Sequence, residues 1–379
     1  MGKDVGHGDA PDRERPRGRR AAARGGAGGW LSRWYLRLSL VVLAGLWVWA
    51  LAWVMGGVSW LADLLANLAA QGLVVTAAAA VVWTLTGRRV LMMLALLACA
   101  MHVWILGTGR ATLMPREFES SGRVPGAVRL FHYNASHKRP PEQVLGLVAE
   151  TAPDVVSIAE PSVPLQMMVI HGDALEDVYP FRLRRLYRER GEGDRVGAGV
   201  LLSKWPLESY PIDDVVAEGV VEDLISGVLT VPGGTVGATE DQRWGVIAVH
   251  PRSPRTAERW AHGNEVTRAT AAVARKMQRE GLPVVVLADL NSTPSGWRSR
   301  ELFFEADLRR GKPLLAAAGT YPAVFESARF GSFRAWWPGT IAIDDVFVSG
   351  GLHVRGWMRL DPTGSDHWPV LAEIVPAGR

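Results

Sequence analysis

Three runs without Asp, Glu, Lys or Arg stand near the start of the chain: Leu38–Ala62 (25 residues), Leu64–Gly87 (24) and Val90–Gly109 (20). Only Asp63 and the pair Arg88-Arg89 separate them. A helix needs roughly 20 apolar residues to cross the hydrocarbon core of a bilayer, so each run predicts a transmembrane helix. All three exceed the apolar region of a cleaved signal peptide, which is about 7 to 15 residues.

After Gly109 the pattern shortens. Ala111 to Gly126, with Pro115, Gly122, Pro125 and Gly126, reads as a linker. AVRLFHYN (Ala127–Asn134) alternates like a strand, PPEQVLGLVAETAPD has the Pro start and apolar spacing of a short helix ending near Thr151, and DVVSIAE (Asp154–Glu160) is a buried strand ending in a carboxylate. VGAGVLLSKWP and RWGVIAVHP give further strands, the second ending at His250. Ser253–Gly281 contains a long amphipathic helix stopped by its glycine. VVVLADLN is another strand, followed by a helix around Trp297–Leu308, the strand AIDDVFVS and the closing segment GSDHWPVLAEIV. Strands and helices mix without strict alternation, which predicts two packed sheets with helices outside rather than one doubly wound sheet. No internal repeat has a fixed period. The expected division is a disordered basic tail over residues 1–37, three membrane helices over 38–109, a linker over 110–126 and a single domain over 127–379.

Charge then orients the chain. The tail carries nine Lys and Arg, the turn between the second and third apolar runs carries Arg88 and Arg89, and the turn between the first and second carries none. Basic flanks stay in the cytoplasm, so three crossings would leave everything after Gly109 outside, in a multi-pass protein of the cell (plasma or inner) membrane. The overall formal charge of +4 belongs to the membrane part: residues 111–379 hold 30 Lys and Arg against 33 Asp and Glu, about −3. That balance argues against indiscriminate nucleic-acid binding, where contacts from Lys and Arg supply most of the affinity. The single cysteine, Cys99, lies inside the third run. The outer domain therefore has no disulfides and must be held by a hydrophobic core, which a chain of its length can build.

Several apolar strands end in the same kind of residue: Asn134, Glu160, His250, Asp289 with Asn291, Asp344, and Asp366 with His367. Each alone is an ordinary turn cap. Together they are what hard-cation phosphate chemistry needs. Magnesium takes oxygen ligands, usually one or two carboxylates, and keeps waters for the substrate phosphate. Glu160 and Asp366, with the neutral oxygen of Asn134, could form that shell. Asp289 with Asn291 could position and deprotonate a water, and protonated His250 and His367 could donate to phosphoryl oxygens. The two-residue spacing of Asp289 and Asn291 would put both side chains on one face if extended structure continues past the strand.

In order, RLFHYN, VVSIAE, VIAVH, VVVLADLNSTP, IDDVFVS and GSDHWPV resemble the motifs of the endonuclease/exonuclease/phosphatase superfamily, over about residues 127 to 375. GSDHWPV with ADLNSTP upstream is the specific part. The resemblance implies an α/β (α+β) four-layer sandwich of two mixed β-sheets flanked by helices, here preceded by three transmembrane helices. It implies that Glu160, Asp366 and Asn134 are on the metal side, that Asp289 orients or activates water, and that Asn291 contacts the scissile phosphate. His250 resembles the phosphate-binding histidine, and His367 the catalytic histidine, held by Asp344 through its other ring nitrogen. Two positions depart from the family pattern. Ala288 replaces the usual Gly before the DLN aspartate, and Asp345 stands where His is common. Strand alternation favours Asp344 as the carboxylate that faces the site.

The expected function is a Mg2+-dependent hydrolase, with Mn2+ as the other candidate metal, cleaving a phosphodiester or phosphomonoester. Its partners would be the lipid bilayer and a phosphate-ester substrate: a lipid headgroup, a sugar or inositol phosphate, or nucleic acid. No segment points to a protein partner. A DNase-like nuclease on extracellular nucleic acid and a catalytically silent binding module of the same fold are the alternatives. The basic run Phe181–Arg190 could grip a substrate phosphate or form a solvated face.

Overall fold

The computed structural model describes residues 26–112, 123–136, 140–171, 175–185, 199–217, 220, 223–314, 319–322, 341–361 and 364–377. Residues 1–25 of the expected tail, most of the expected linker and Leu186–Arg190 of the basic run lie outside the described residues. The chain divides into two compact units, residues 1–45 and 46–379.

The first unit carries most of helix α1 (Gly26–Met55), which starts well before the expected boundary at Leu38. Helices α2 (Trp60–Ala66), α3 (Ala69–Leu85) and α4 (Arg89–Gly107) follow in the second unit. Ser32–Met55 and Arg89–Gly107 are each long and apolar enough to cross a membrane. The pair α2 and α3 reaches that length only together, and bends by 65° at the break. Among the described residues there are thus two spans, or three if the bent pair is one crossing, where three uninterrupted ones were expected. The short α2 and its break before α3 are tied to particular polar groups. The Ser59 side chain caps α2 by accepting from the Ala62 backbone N–H, and Asp63 and Asn67 carry polar groups that find partners in the domain that follows.

The chain passes almost directly from α4 into that domain. At the head of the segment read as a linker, Ala111 donates its N–H to Arg310 O at 2.8 Å, and Arg310 N donates to Gly109 O at 2.7 Å. The domain contains two six-stranded mixed sheets. The first has the order β11 (Leu352–Arg359), β12 (Val370–Pro376), β1 (Val128–Asn134), β2 (Val155–Ala159), β4 (Gly199–Ser203), β3 (Phe181–Arg185). The second runs β5 (Leu207–Ser209), β6 (Leu224–Val231), β7 (Gln242–Val249), β8 (Val284–Asp289), β10 (Asp344–Val348), β9 (Arg309–Arg310). In each sheet one central pair is parallel, β1 with β2 and β7 with β8, and the other pairings are antiparallel.

Side-chain alternation assigns the layers. Val128, Leu130, Val246, Ala248, Val285, Leu287, Val346 and Val348 meet between the sheets. Their neighbours on the opposite faces pack outward. Phe131, Tyr133, Val156 and Ile158 lie against α5 (Pro141–Thr151). Ile247, Val284, Val286 and Phe347 lie in one core cluster with Val266, Val273 and Met277 of α7 (Ala257–Arg279) and Leu302 of α8 (Trp297–Ala306). A short α6 (Val163–Gln166) follows β2. This is the expected four-layer arrangement of helices, sheet, sheet and helices, and each such buried aliphatic side chain contributes about 1.5–3 kcal/mol. Across the first sheet, buried Arg129 Nη2 pairs with Glu373 Oε1 at 2.6 Å, tying β1 to β12.

Candidate active site

The same alternation builds the site. His132 and Asn134 continue the inward face of β1 beyond Leu130, His250 that of β7 beyond Ala248, and Asp289 that of β8 beyond Leu287. On antiparallel β10, Asp344 precedes inward-facing Val346 and lies directly opposite Asp289. The apolar layer between the sheets therefore ends in a polar rim, where both sheets deliver carboxylates and imidazoles to one place.

Asp289 and Asp344 are 0% and 1% exposed, and like charges directly across an antiparallel pair repel. His367 relieves that repulsion. Its Nδ1 lies 3.0 Å from Asp344 Oδ2 and 3.6 Å from Asp289 Oδ2. Burial pulls the His367 pKa down, but the charges of Asp344 and Asp289 outweigh it and push the imidazole up to about 10. Burial alone would raise Asp289; the charge of His367 and the hydrogen bonds from His250 and Asn134 instead hold it well below the usual carboxylate range. The site favours an imidazolium and an ionised Asp289.

Asn134 links the carboxylates: its Nδ2 donates to Asp289 Oδ2 at 2.9 Å and lies 3.4 Å from Glu160 Oε1, while its Oδ1 accepts from Ser136 N. His250 Nε2 sits 3.3 Å from Glu160 Oε1 and 3.4 Å from Asp289 Oδ2. Burial lowers His250, but those two carboxylates dominate and raise it to about 9. Glu160, just past β2, has φ 47°. A Glu in the left-handed region is uncommon, and such strain tends to gather at functional sites. Asn291 corrects one expectation. The strand ends at Asp289, and Asn291 turns at φ 48° with its N–H donating to Asp289 Oδ1 at 2.9 Å. This Asx turn, rather than continued extended structure, brings its side chain within 3.3 Å of His250 Nε2.

Asp344, and not Asp345, meets His367. The Asp345 carboxylate turns to the other face, where it accepts from Arg310 Nε at 2.7 Å and Trp357 Nε1 at 2.8 Å. All the other sequence-selected residues, Asn134, Glu160, His250, Asp289, Asn291, Asp366 and His367, line one cavity of about 660 Å³. The sequence reading passed over several neighbours. Buried His132 places Nε2 3.9 Å from Asp344 Oδ1; its position two residues before Asn134 on the same strand face was the available signal. The Tyr321 ring lies 4.9 Å from that of His367, and Thr320 Oγ1 accepts from the Asp344 N–H at 3.0 Å; no pattern marked either. Leu64 of α2, with Asn67 and Leu68 from the break before α3, also line the cavity.

The donor set suits a divalent cation. Asp289, Asp344 and His367 each bring a potential ligand atom within 4.8 Å of the others; the imidazolium form of His367 donates rather than ligates, which leaves the carboxylates, and those of Glu160 and Asp366 line the same cavity. Oxygen-rich sites of this kind take hard cations.

Residues 131–367 match the Endonuclease/Exonuclease/phosphatase family. No curated protein matches the chain. Similar solved structures include an endonuclease/exonuclease/phosphatase from Beutenbergia cavernae DSM 12333, at 17% identity over 66% of this chain and 72% of that one, with a TM-score of 0.45. The human Nocturnin catalytic domain with bound sulfate is 14% identical over 67% and 96%, TM-score 0.47. Sphingomyelinase C from Streptomyces griseocarneus is 18% identical over 65% and 99%, TM-score 0.43. The family match spans well over half of the chain, which belongs to the endonuclease/exonuclease/phosphatase family.

Proposed function

We propose that this member of the endonuclease/exonuclease/phosphatase family is a membrane-anchored, metal-dependent phosphoesterase that hydrolyses a phosphodiester or phosphomonoester by attack of water. The observation that carries this reading is the arrangement of His367 between the directly opposed carboxylates of Asp289 and Asp344. Asp344 fixes the ring and its charge state through Nδ1, leaving Nε2 to donate to a phosphoryl oxygen as negative charge develops there. Asp289, held ionised and steered by Asn134, orients the water and accepts its proton. His250 and Asn291 supply donors for the remaining phosphate oxygens. Glu160 and Asp366 would hold the divalent cation, magnesium or manganese. When bound, it would neutralise charge on the phosphate and polarise it for attack.

The Lys and Arg of the tail and of the Arg88-Arg89 turn support a cytoplasmic tail and an extracytoplasmic catalytic domain. The test is hydrolysis by the full-length chain in a non-phosphorylated detergent. The panel comprises bis-p-nitrophenyl phosphate, sphingomyelin, phosphatidylinositol phosphates, plasmid DNA and abasic duplex, with His367→Ala and EDTA as controls. Metal-dependent turnover absent from the variant supports the reading. Turnover retained by His367→Ala, or none on any ester, overturns it.

A further inference from the structure

One wall of the catalytic cavity comes from neither sheet. Leu64, Asn67 and Leu68 line it together with the acidic and histidine cluster; Leu64 lies on α2, and Asn67 and Leu68 form the break before the apolar helix α3. The break is locked to the loop that follows Asp289. Asn67 Oδ1 accepts from Thr293 N at 2.5 Å and from Ser292 Oγ at 3.2 Å, and Thr293 Oγ1 donates back to Asn67 O at 3.0 Å. One turn earlier, buried Asp63 accepts from Trp297 N at 2.7 Å and from Trp260 Nε1 at 3.0 Å. The approach is close enough that a Cβ on Gly296 would collide with Ser292 Oγ and Asn67 Oδ1. These bonds hold the end of α2 against that loop, with Leu64 and Leu68 on the cavity lining.

The chemistry of that wall differs from the floor. Leu61, Leu64 and Leu65 follow the i, i+3, i+4 spacing of one stripe on α2, and Leu68 follows at the break before α3. Leu61 and Leu65 are 65% and 38% exposed, and Leu68 38%, so apolar surface is available on α2 and at the break beside the cavity-lining leucines. Arg252, Arg255 and Arg259 line the same cavity and favour an anionic head. A ligand that satisfies both ends carries a phosphate on one side and a hydrocarbon on the other.

We propose that Leu64 and Leu68 form a subsite for the apolar part of an acylated phosphate ester, a membrane lipid whose phosphate reaches His250, Asn291 and His367. This rests on the phosphoesterase reading and narrows it to substrates drawn from the bilayer. A sugar phosphate or a nucleotide would leave the leucines uncovered, whereas each methylene buried against them raises affinity about fourfold.

Two measurements on the full chain in maltoside micelles test the subsite. The first compares binding of dihexanoyl-phosphatidylglycerol with that of glycerophosphoglycerol, which has the same head without acyl chains. The second compares kcat/KM for the acylated ester with that for bis-p-nitrophenyl phosphate, in the parent chain and in Leu68→Ser and Leu64→Ser. Leu68 is partly exposed, so its variant keeps a folded comparison in hand if Leu64→Ser fails to fold. The expected result is at least about tenfold tighter binding of the acylated ester, with the lipid-to-soluble ratio of kcat/KM falling at least about tenfold in Leu68→Ser. Equal affinity for the two esters, or an unchanged ratio in Leu68→Ser, overturns the subsite and leaves the phosphoesterase reading in place. An acyl preference in binding without hydrolysis of any ester overturns the phosphoesterase reading, and with it the substrate role, while leaving a lipid-binding site.

Discussion

Asp344 and Asp345 are adjacent on β10, yet their carboxylates serve opposite faces: one lies 3.0 Å from His367 Nδ1, the other 2.7 Å from Arg310 Nε. The alternation of a strand separates two identical groups into one that sets the charge of His367 and one that neutralises a buried guanidinium.

Asp344→Asn removes the largest charge that raises His367. With burial less opposed, the imidazole loses its proton at lower pH. In a pH profile of kcat/KM, the alkaline limb is expected to move acidward by more than about one unit, since each unit corresponds to about 1.4 kcal/mol of lost interaction. A limb that stays in place would dissociate Asp344 from the charge state of His367.

Asp345→Ala acts on stability instead. Arg310 is 2% exposed, and removing one partner of a buried pair costs about 3–5 kcal/mol. Thermal unfolding of the full chain in detergent is expected at a temperature lower by at least about 6 °C. An unchanged midpoint would show that Ser299 Oγ and the Ser292 and Ala342 carbonyls, which Arg310 also contacts, suffice to hold it.

Glu160→Ala and His367→Ala are each expected to lower turnover at least about 100-fold, the scale of single catalytic groups. Steady-state kinetics on the best ester of the panel measures this. Full activity in both would refute the site assignment.

Chelation by EDTA is expected to abolish turnover, and excess magnesium or manganese to restore it. In Glu160→Ala the restoring metal concentration should rise by an order of magnitude or more, through loss of a carboxylate ligand. The measurement is a metal titration of residual activity. Identical titration curves would remove Glu160 from the metal side.

A reporter fused after Arg379 is expected to be active outside the cytoplasm, following the distribution of Lys and Arg around the apolar helices. A reporter active only in the cytoplasm would reverse the orientation and count against three crossings.

Local pattern determined a large part of this protein. Absence of charge over about 20 residues marked the apolar helices, alternation marked β1, and short apolar runs marked β2, β7, β8 and β10, which are buried almost throughout. The two-residue period of a strand placed Asn134, His250, Asp289 and Asp344 on the inward side, as each lies at an even offset from an inward apolar residue. Tertiary structure decided what such periods do not encode. That β10 lies in register with β8, so that Asp289 faces Asp344, depends on pairing between segments 55 residues apart. That Asn291 leaves the strand depends on the Asx turn its N–H makes with Asp289. That α2 and α3 break at Asn67, within a run that reads as one continuous apolar span, depends on bonds to Thr293 and Ser292 more than 220 residues away. A hydrophobic period records only whether a side chain is covered, whereas the partner that covers it is fixed by the packing of the whole chain.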